Sequence, residues 1–216
     1  MADRNDVSLF ARAWVVASPL LERVGLADSR RRLVADLHGT VVEVGAGSGV
    51  TFEHYPPEVT RVVAVEPDPH LRAHALRYAA GAPVRVEVVD TVAEALPLAD
   101  GEADAVVFGL VLCTVPDVAA ALAEARRVLA PDGELRLLEH VRADGALGRV
   151  ADRIAPVWSR VGGGCRPNRD TARRLDEAGF DVSGLRTSPF PPVLPLTPML
   201  TGSARPRSPG RSPGPQ

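Results

Sequence analysis

The chain has 216 residues, 45% hydrophobic and 24% charged, enough apolar side chain to build the core of one α/β domain rather than two. Its formal net charge of −2 argues against a nucleic-acid backbone as the main partner, because phosphate binding needs a basic surface. The only cysteines, Cys113 and Cys165, lack paired spacing, which argues for a reduced, cytoplasmic compartment and against a zinc site, so no metal is expected.

The opening residues are polar and acidic, without the charged-then-apolar order of a signal peptide. The first apolar stretch, "LFARAWVVASPLL", carries Arg12 and Pro19 and is too short to span a bilayer, so no integral membrane segment is expected. Residues 1–36 read as broken helix. Pro19 should end one helix near Ser18, and Ser29 should cap a second through "RRRLVADL".

Apolar, β-branched runs then alternate with helical patterns. Strands are expected at 40–44, 61–65, 84–89, 104–110 and 134–141, and helices at 69–80 and 117–129, the second stopped by "APDG". Such short, nearly continuous apolar strands describe a parallel sheet covered on both faces. Residues 141–169 form a long insertion, and insertions of that length in compact domains are usually functional. A helix over "RDTARRLDEAGF" and two last strands, "DVSGLRTSPF" and "PMLTGSA", would complete a seven-stranded sheet. From Ser203 the composition turns to Pro, Ser, Gly and Arg, so residues 205–216 are expected to be a disordered tail.

Strand one ends in "EVGAGSG". A glycine-rich turn at the carboxyl edge of a parallel sheet lets backbone amides approach a ligand, and a helix should begin a few residues after Gly49. Gly45 and Gly47 fit the dinucleotide fingerprint, but Val50 stands where its third glycine belongs. Glu66 ends strand two, where a carboxylate can accept hydrogen bonds from both ribose hydroxyls and would repel a 2′-phosphate. His70 and His74 read as a solvated helix face rather than a metal pair.

With Glu43, the pattern Glu-x-Gly-x-Gly-x-Gly resembles motif I of the class I S-adenosylmethionine-dependent methyltransferases. "AEALPLADGEADAVVFGLVLCTVPD", "ALAEARRVLAPDGELRLLEHV", "GGGCRPNRDT" and "EAGF" resemble their small-molecule branch. That branch includes the methyltransferase type 11, ubiquinone/menaquinone-like enzymes and the methyltransferase-like thiol methyltransferases. The resemblance implies an α/β, Rossmann-like, doubly wound and mostly parallel sheet with helices on both faces. Residues 1–36 would be a helical lid, 37–204 the catalytic domain and 141–169 a substrate-covering insertion. It implies S-adenosylmethionine as cofactor, S-adenosylhomocysteine as product, and a small-molecule acceptor offering N, O, S or C. The apolar N-terminal anchor of the human relatives has no counterpart here, so their membrane attachment is not carried over.

By the same resemblance Glu43, Gly45, Ala46, Gly47, Gly49, Glu66, Pro67 and Leu110 hold the cofactor. Val92 stands where many relatives place the Asp that binds adenine, leaving the Ala93 amide, Glu94 or Asp90 to do so. Trp14, Cys113, Trp158 and Asn168 are candidate pocket walls, although Cys113 also reads as an inert buried thiol and both tryptophans as core. His140, alone among the histidines at a strand's carboxyl end, is the candidate base, or with Glu139 a strand cap. Two rivals remain: a non-catalytic cofactor-binding protein, and an NAD-dependent oxidoreductase, which would lack a Tyr-x-x-x-Lys pair because the chain has no lysine. The sequence carries no signal for oligomeric state.

Overall fold

The computed structural model describes residues 9–161, 163–166, 168–188 and 198–207. The first elements are α1 (Leu9–Leu21), a π-helical turn (Glu22–Leu26) and α2 (Ala27–Val34), which run on without a break. Both expected boundaries are corrected here. Pro19 lies inside α1, and the turn that follows it is widened to π geometry, one way a helix absorbs the missing N–H and the ring clash. Ser29 caps nothing; its hydroxyl donates back to the Gly25 carbonyl at 3.2 Å from within the helical run.

The sheet comprises β1 (Gly39–Val44), β2 (Val59–Val65), β3 (Val86–Val89), β4 (Ala103–Gly109), β5 (Leu129–His140), β6 (Phe180–Asp181), β7 (Leu185–Ser188) and β8 (Met199–Pro206). The order is β3-β2-β1-β4-β5-β8-β6, with β7 also paired to β8. β1 to β5 are mutually parallel, and β8 runs antiparallel to β5, β6 and β7. The expected mostly parallel, doubly wound sheet is present, with eight strands because residues 180–188 make two short ones. Pro131 to Gly133 interrupt the β4–β5 ladder rather than precede it: Leu129 pairs with Ala103, and regular pairing resumes at Glu134 opposite Ala105.

Two apolar layers sandwich the sheet. Phe108, Leu135 and Leu137 pack on one face with Leu122 of α4 (Val118–Val128) and Leu175 of α6 (Thr171–Glu177). Val41, Val62 and Ala105 pack on the other with Leu33, Val34 and Ala75 of α3 (Pro69–Ala79). α4 buries Val118, Ala121, Leu122, Ala125 and Val128, the spacing of a helix face, and Asp117 caps it by accepting from Ala120 N–H at 3.0 Å. Asp68 caps α3 through the amides of His70 and Leu71, with Pro69 in the first helical position.

Two further expectations are corrected. After Gly49 there is no α-helix, only a 3-10 turn at Phe52–His54, because Pro56 and Pro57 follow at once and the chain must reach β2. The tail is ordered through Arg207: Arg205 pairs with Asp181, Pro206 with Phe180, and Arg207 donates its N–H to the Gly179 carbonyl at 2.8 Å. Buried Ala204 and the strand partners on both sides offset the entropy that composition alone counts against this stretch. Residues 208–216, the rest of the expected tail, lie outside the described residues. The insertion contains α5 (Gly145–Val161), which spans Pro156. No helix among the described residues is long and apolar enough to cross a membrane.

Candidate active site

Strand order reverses beside β1, between β2 on one side and β4 on the other, so the turns after β1 and β4 open together at the carboxyl edge. They border a cavity of about 810 Å³. Its lining includes Gly45, Ala46, Gly47, Glu66, Pro67, Leu110, Trp14, Cys113, His140 and Trp158, all expected at the site.

The three glycines of the first turn do different work. Each has a left-handed backbone, with φ of +65°, +59° and +88° at Gly45, Gly47 and Gly49. A Cβ at Gly45 would run into Val111, and one at Gly49 would meet the Phe52 ring at 2.7 Å and the Ala75 backbone at 3.0 Å. At Gly47 it would meet only Trp14 Nε1, 3.6 Å away. Gly47 therefore leaves space on the cavity side, whereas Gly49 is required by packing and does not line the cavity.

Glu66 stands beside that space. Oε2 accepts from Gly47 N–H at 2.8 Å and Oε1 from Asp68 N–H at 2.9 Å. Burial pushes its carboxyl up to about 7, opposed by those two amides. Glu43 lies beneath the turn instead of facing the cavity. It accepts from Tyr55 Oη at 3.0 Å, and burial raises its carboxyl above the ordinary range. Arg30 of α2 reaches under the same turn, donating to Glu22 Oε1 at 3.0 Å and to Thr51 Oγ1 at 3.1 Å. Sequence reasoning missed Arg30, because nothing distinguishes it from its neighbours in "SRRR".

The adenine candidates are not brought into the cavity. Ala93 and Glu94 do not line it, and Glu94 Oε1 instead accepts from Asp117 N–H at 3.2 Å. Asp90 is paired with Arg72 at 2.9 Å. Asn168 also points elsewhere, donating to Asp152 at 3.2 Å.

The far end of the cavity is built by the turn after β4. Leu110 holds φ of 62°, the one positive value at a non-glycine among the described residues. Buried Glu139 holds the next turn: Oε1 accepts from the amides of Val111 and Leu112, both at 2.8 Å. Burial pushes its carboxyl up to about 7 against those amides. An acid inside the apolar run "LRLLEHV" was the available signal for it. The turn presents Cys113, whose sulfur lies 3.5 Å from that of Cys165. Contact with Cys113 holds the Cys165 thiol down to about 7, helped by Trp158 and Arg169 and opposed by burial. The same contact, burial and Glu139 push the Cys113 thiol up. Burial lowers the His140 imidazole, keeping it neutral near neutral pH.

A family model described as a methyltransferase domain matches residues 42–137. The human thiol S-methyltransferase TMT1B is 32% identical over 212 residues, 91% of this chain and 86% of that protein. This chain belongs to the class I S-adenosylmethionine-dependent methyltransferases. Human thiol S-methyltransferase TMT1A is 30% identical, over 72% of this chain and 68% of its own. Among solved structures, an S-adenosylmethionine-dependent methyltransferase from Leishmania major matches with a TM-score of 0.67 at 16% identity, covering 94% of this chain and 80% of that one. One from Aquifex aeolicus matches at 0.61 and 18%, covering 85% and 92%. These structural likenesses concern the fold. For a methyltransferase of this fold, the turns after β1 and β4 lie where strand order places a ligand.

Proposed function

We propose that this methyltransferase moves the methyl group of S-adenosylmethionine to the sulfur of a small, largely apolar thiol. The observation that carries this reading is the continuity of one cavity, from Gly47 and Glu66 at one end to Cys113, His140 and Cys165 at the other. The thiol S-methyltransferase relatives support sulfur as the acceptor atom.

The residues present fit the cofactor. Gly47 leaves room beside a buried carboxylate, and the Gly45–Ala46–Gly47 backbone forms the adjoining wall. When bound, S-adenosylmethionine supplies a methyl group already activated on a sulfonium. Glu66 would accept hydrogen bonds from the ribose hydroxyls, and Pro67 and Leu110 would lie against the nucleoside. Trp14, stacked on Phe10 with ring centroids 5.8 Å apart, closes the lid over Gly47. Ile154 and Trp158 give the acceptor an apolar wall that excludes water. His140, kept neutral because burial lowers its imidazole, would border the acceptor thiol at this end of the cavity.

The test is incubation of the purified chain with S-adenosylmethionine and a panel of alkyl and aryl thiols, phenols and amines, read by mass spectrometry. The expected products are a methyl thioether and S-adenosylhomocysteine in equal amounts. Methylation of phenols or amines with no thiol turned over would overturn the reading.

A further inference from the structure

We propose that Cys113, His140 and Cys165 form a zinc site whose open fourth position receives the acceptor thiol, an inference that rests on the thiol reading above. The donor atoms of the three side chains lie within 4.8 Å of one another. In a tetrahedral zinc site, with zinc–sulfur bonds of about 2.3 Å, two thiolates stand roughly 3.8 Å apart. The two sulfurs here are 3.5 Å apart, close to that spacing, with an imidazole nitrogen of His140 within 4.8 Å of both.

The segments carrying the ligands are held together by bonds that need no metal. The backbone N–H of Arg166 donates to the Cys113 carbonyl at 2.8 Å, which docks the Cys165 segment onto the turn after β4. Arg169 donates to the carbonyls of Leu112 and Val115, and Glu139 grips the same turn from beneath. Cys113 and Cys165 are therefore brought together from 52 positions apart by the fold, which is why no cysteine spacing announced the site.

The donor set selects the metal. Two thiolates and an imidazole suit zinc and disfavour magnesium or calcium, which take oxygen ligands. Three protein ligands with a fourth position on a cavity is the pattern of a catalytic zinc rather than a structural one. Two thiolates also neutralise the dication, so burial is not penalised by net charge at the metal.

The chemistry balances. The acceptor R–SH gives its proton to solvent and binds zinc through sulfur, displacing water. Its sulfur then forms a bond to the methyl carbon as the sulfonium carbon–sulfur bond breaks, and the electron pair leaves with S-adenosylhomocysteine. The neutral thioether is a poorer zinc ligand than a thiolate and departs. In this scheme His140 holds the metal rather than the proton.

The test uses the full chain, purified reduced after removal of any affinity tag. Metal content is measured directly, and the chelator-stripped protein is titrated with Co²⁺. About one zinc per chain is expected, and Co²⁺ should give thiolate charge-transfer absorption with the intense visible bands of a tetrahedral site. Cys165→Ser and His140→Asn should each weaken Co²⁺ binding at least tenfold. Unchanged S-adenosylhomocysteine affinity in those variants would show that they fold, and Cys113→Ala provides a third reading at the buried ligand. Absence of bound zinc together with absence of the cobalt bands would overturn the site. Zinc binding without methylation of any thiol would leave the site standing and overturn the acceptor reading. Thiol methylation at full rate by metal-free protein would overturn the role of zinc and leave the acceptor reading standing.

Discussion

The backbone N–H of Gly47 donates to Oε2 of Glu66 at 2.8 Å, so the turn after β1 and the end of β2 meet on one buried carboxylate at the edge of the cavity. Burial raises that carboxyl from 4.5 to about 7 in the ligand-free protein. Two ribose hydroxyls donate best to the ionised form, so binding and proton release are linked. The affinity for S-adenosylhomocysteine should rise with pH up to about 7 and level off above it. Glu66→Gln should bind with little pH dependence. Glu66→Ala should weaken binding by about 1.5–3 kcal/mol, roughly ten- to a hundredfold. Calorimetry across pH 5.5–8.5 checks this, and a flat wild-type profile would place the ribose away from Glu66.

Gly47 and Gly49 have the same left-handed backbone but different neighbours, so the same substitution should separate binding from stability. Alanine in that conformation costs about 1–2 kcal/mol at either position. At Gly47 the new methyl group enters the cavity beside Trp14, whereas at Gly49 it meets the Phe52 ring and the Ala75 backbone. Gly47→Ala should fold and lose at least tenfold in S-adenosylhomocysteine affinity. Gly49→Ala should show the larger fall in thermal midpoint. Valine at 47 would confuse the two effects, because a branched Cβ is strained there whatever space the ligand needs.

The parallel sheet was legible because β1, β2 and β4 are short runs of β-branched residues buried on both faces, a pattern few other structures accept. The glycine turn and Glu66 at the cavity edge were legible for a similar reason: glycine spacing and a carboxylate at a strand end are local features. What failed was non-local. Pro19 was read as a stop, since local propensity cannot register a π turn held by tertiary packing. Arg205 to Arg207 were read as disordered from composition, and it is pairing with β6 and the Gly179 carbonyl that orders them. Glu43 and Gly49 matched the motif and lie below the turn, while Ala93 does not line the cavity and Glu94 and Asn168 bond to Asp117 and Asp152. The meeting of Cys113 and Cys165 depends on how the insertion folds back, and no spacing encodes that.

Glu139 should make the ligand-free protein less stable as pH rises. Its carboxyl is raised from 4.5 to about 7 in the folded protein, chiefly by burial. Below the ordinary carboxylate range both states are protonated and nothing is lost. Between about 4.5 and 7 the unfolded chain ionises while the folded one resists, so stability falls, and above that it is constant. The loss is on the order of 3 kcal/mol at most. Urea unfolding at pH 5 and pH 8 should show it, and Glu139→Gln should shrink the difference. An equal difference in wild type and variant would assign the pH dependence to other groups, Glu66 first among them.

Arg30 should be the residue whose loss loosens the N-terminal helices from the turn after β1. Its side chain is buried, and it joins Glu22 in the π turn to Thr51 beyond the glycines while acting electrostatically on Glu43. Methionine keeps the apolar stem but leaves Glu22 and Glu43 without their cation in a poorly solvated place. Removing one member of a buried ion pair typically costs about 3–5 kcal/mol, because the remaining charge is uncompensated. Arg30→Met should therefore unfold at much lower urea than wild type. Adding Glu22→Gln should restore part of the loss, since it removes one orphaned charge. Arg30→Lys should not rescue fully, because an ammonium is a compact point charge without the planar fork that spans two partners. S-adenosylhomocysteine should raise the thermal midpoint of Arg30→Met less than that of wild type, because the turn that the ligand needs is no longer tied to α2. A loss under about 1 kcal/mol for Arg30→Met, the size expected of an exposed pair, would show that this guanidinium is solvated and that packing alone holds the N-terminal helices in place.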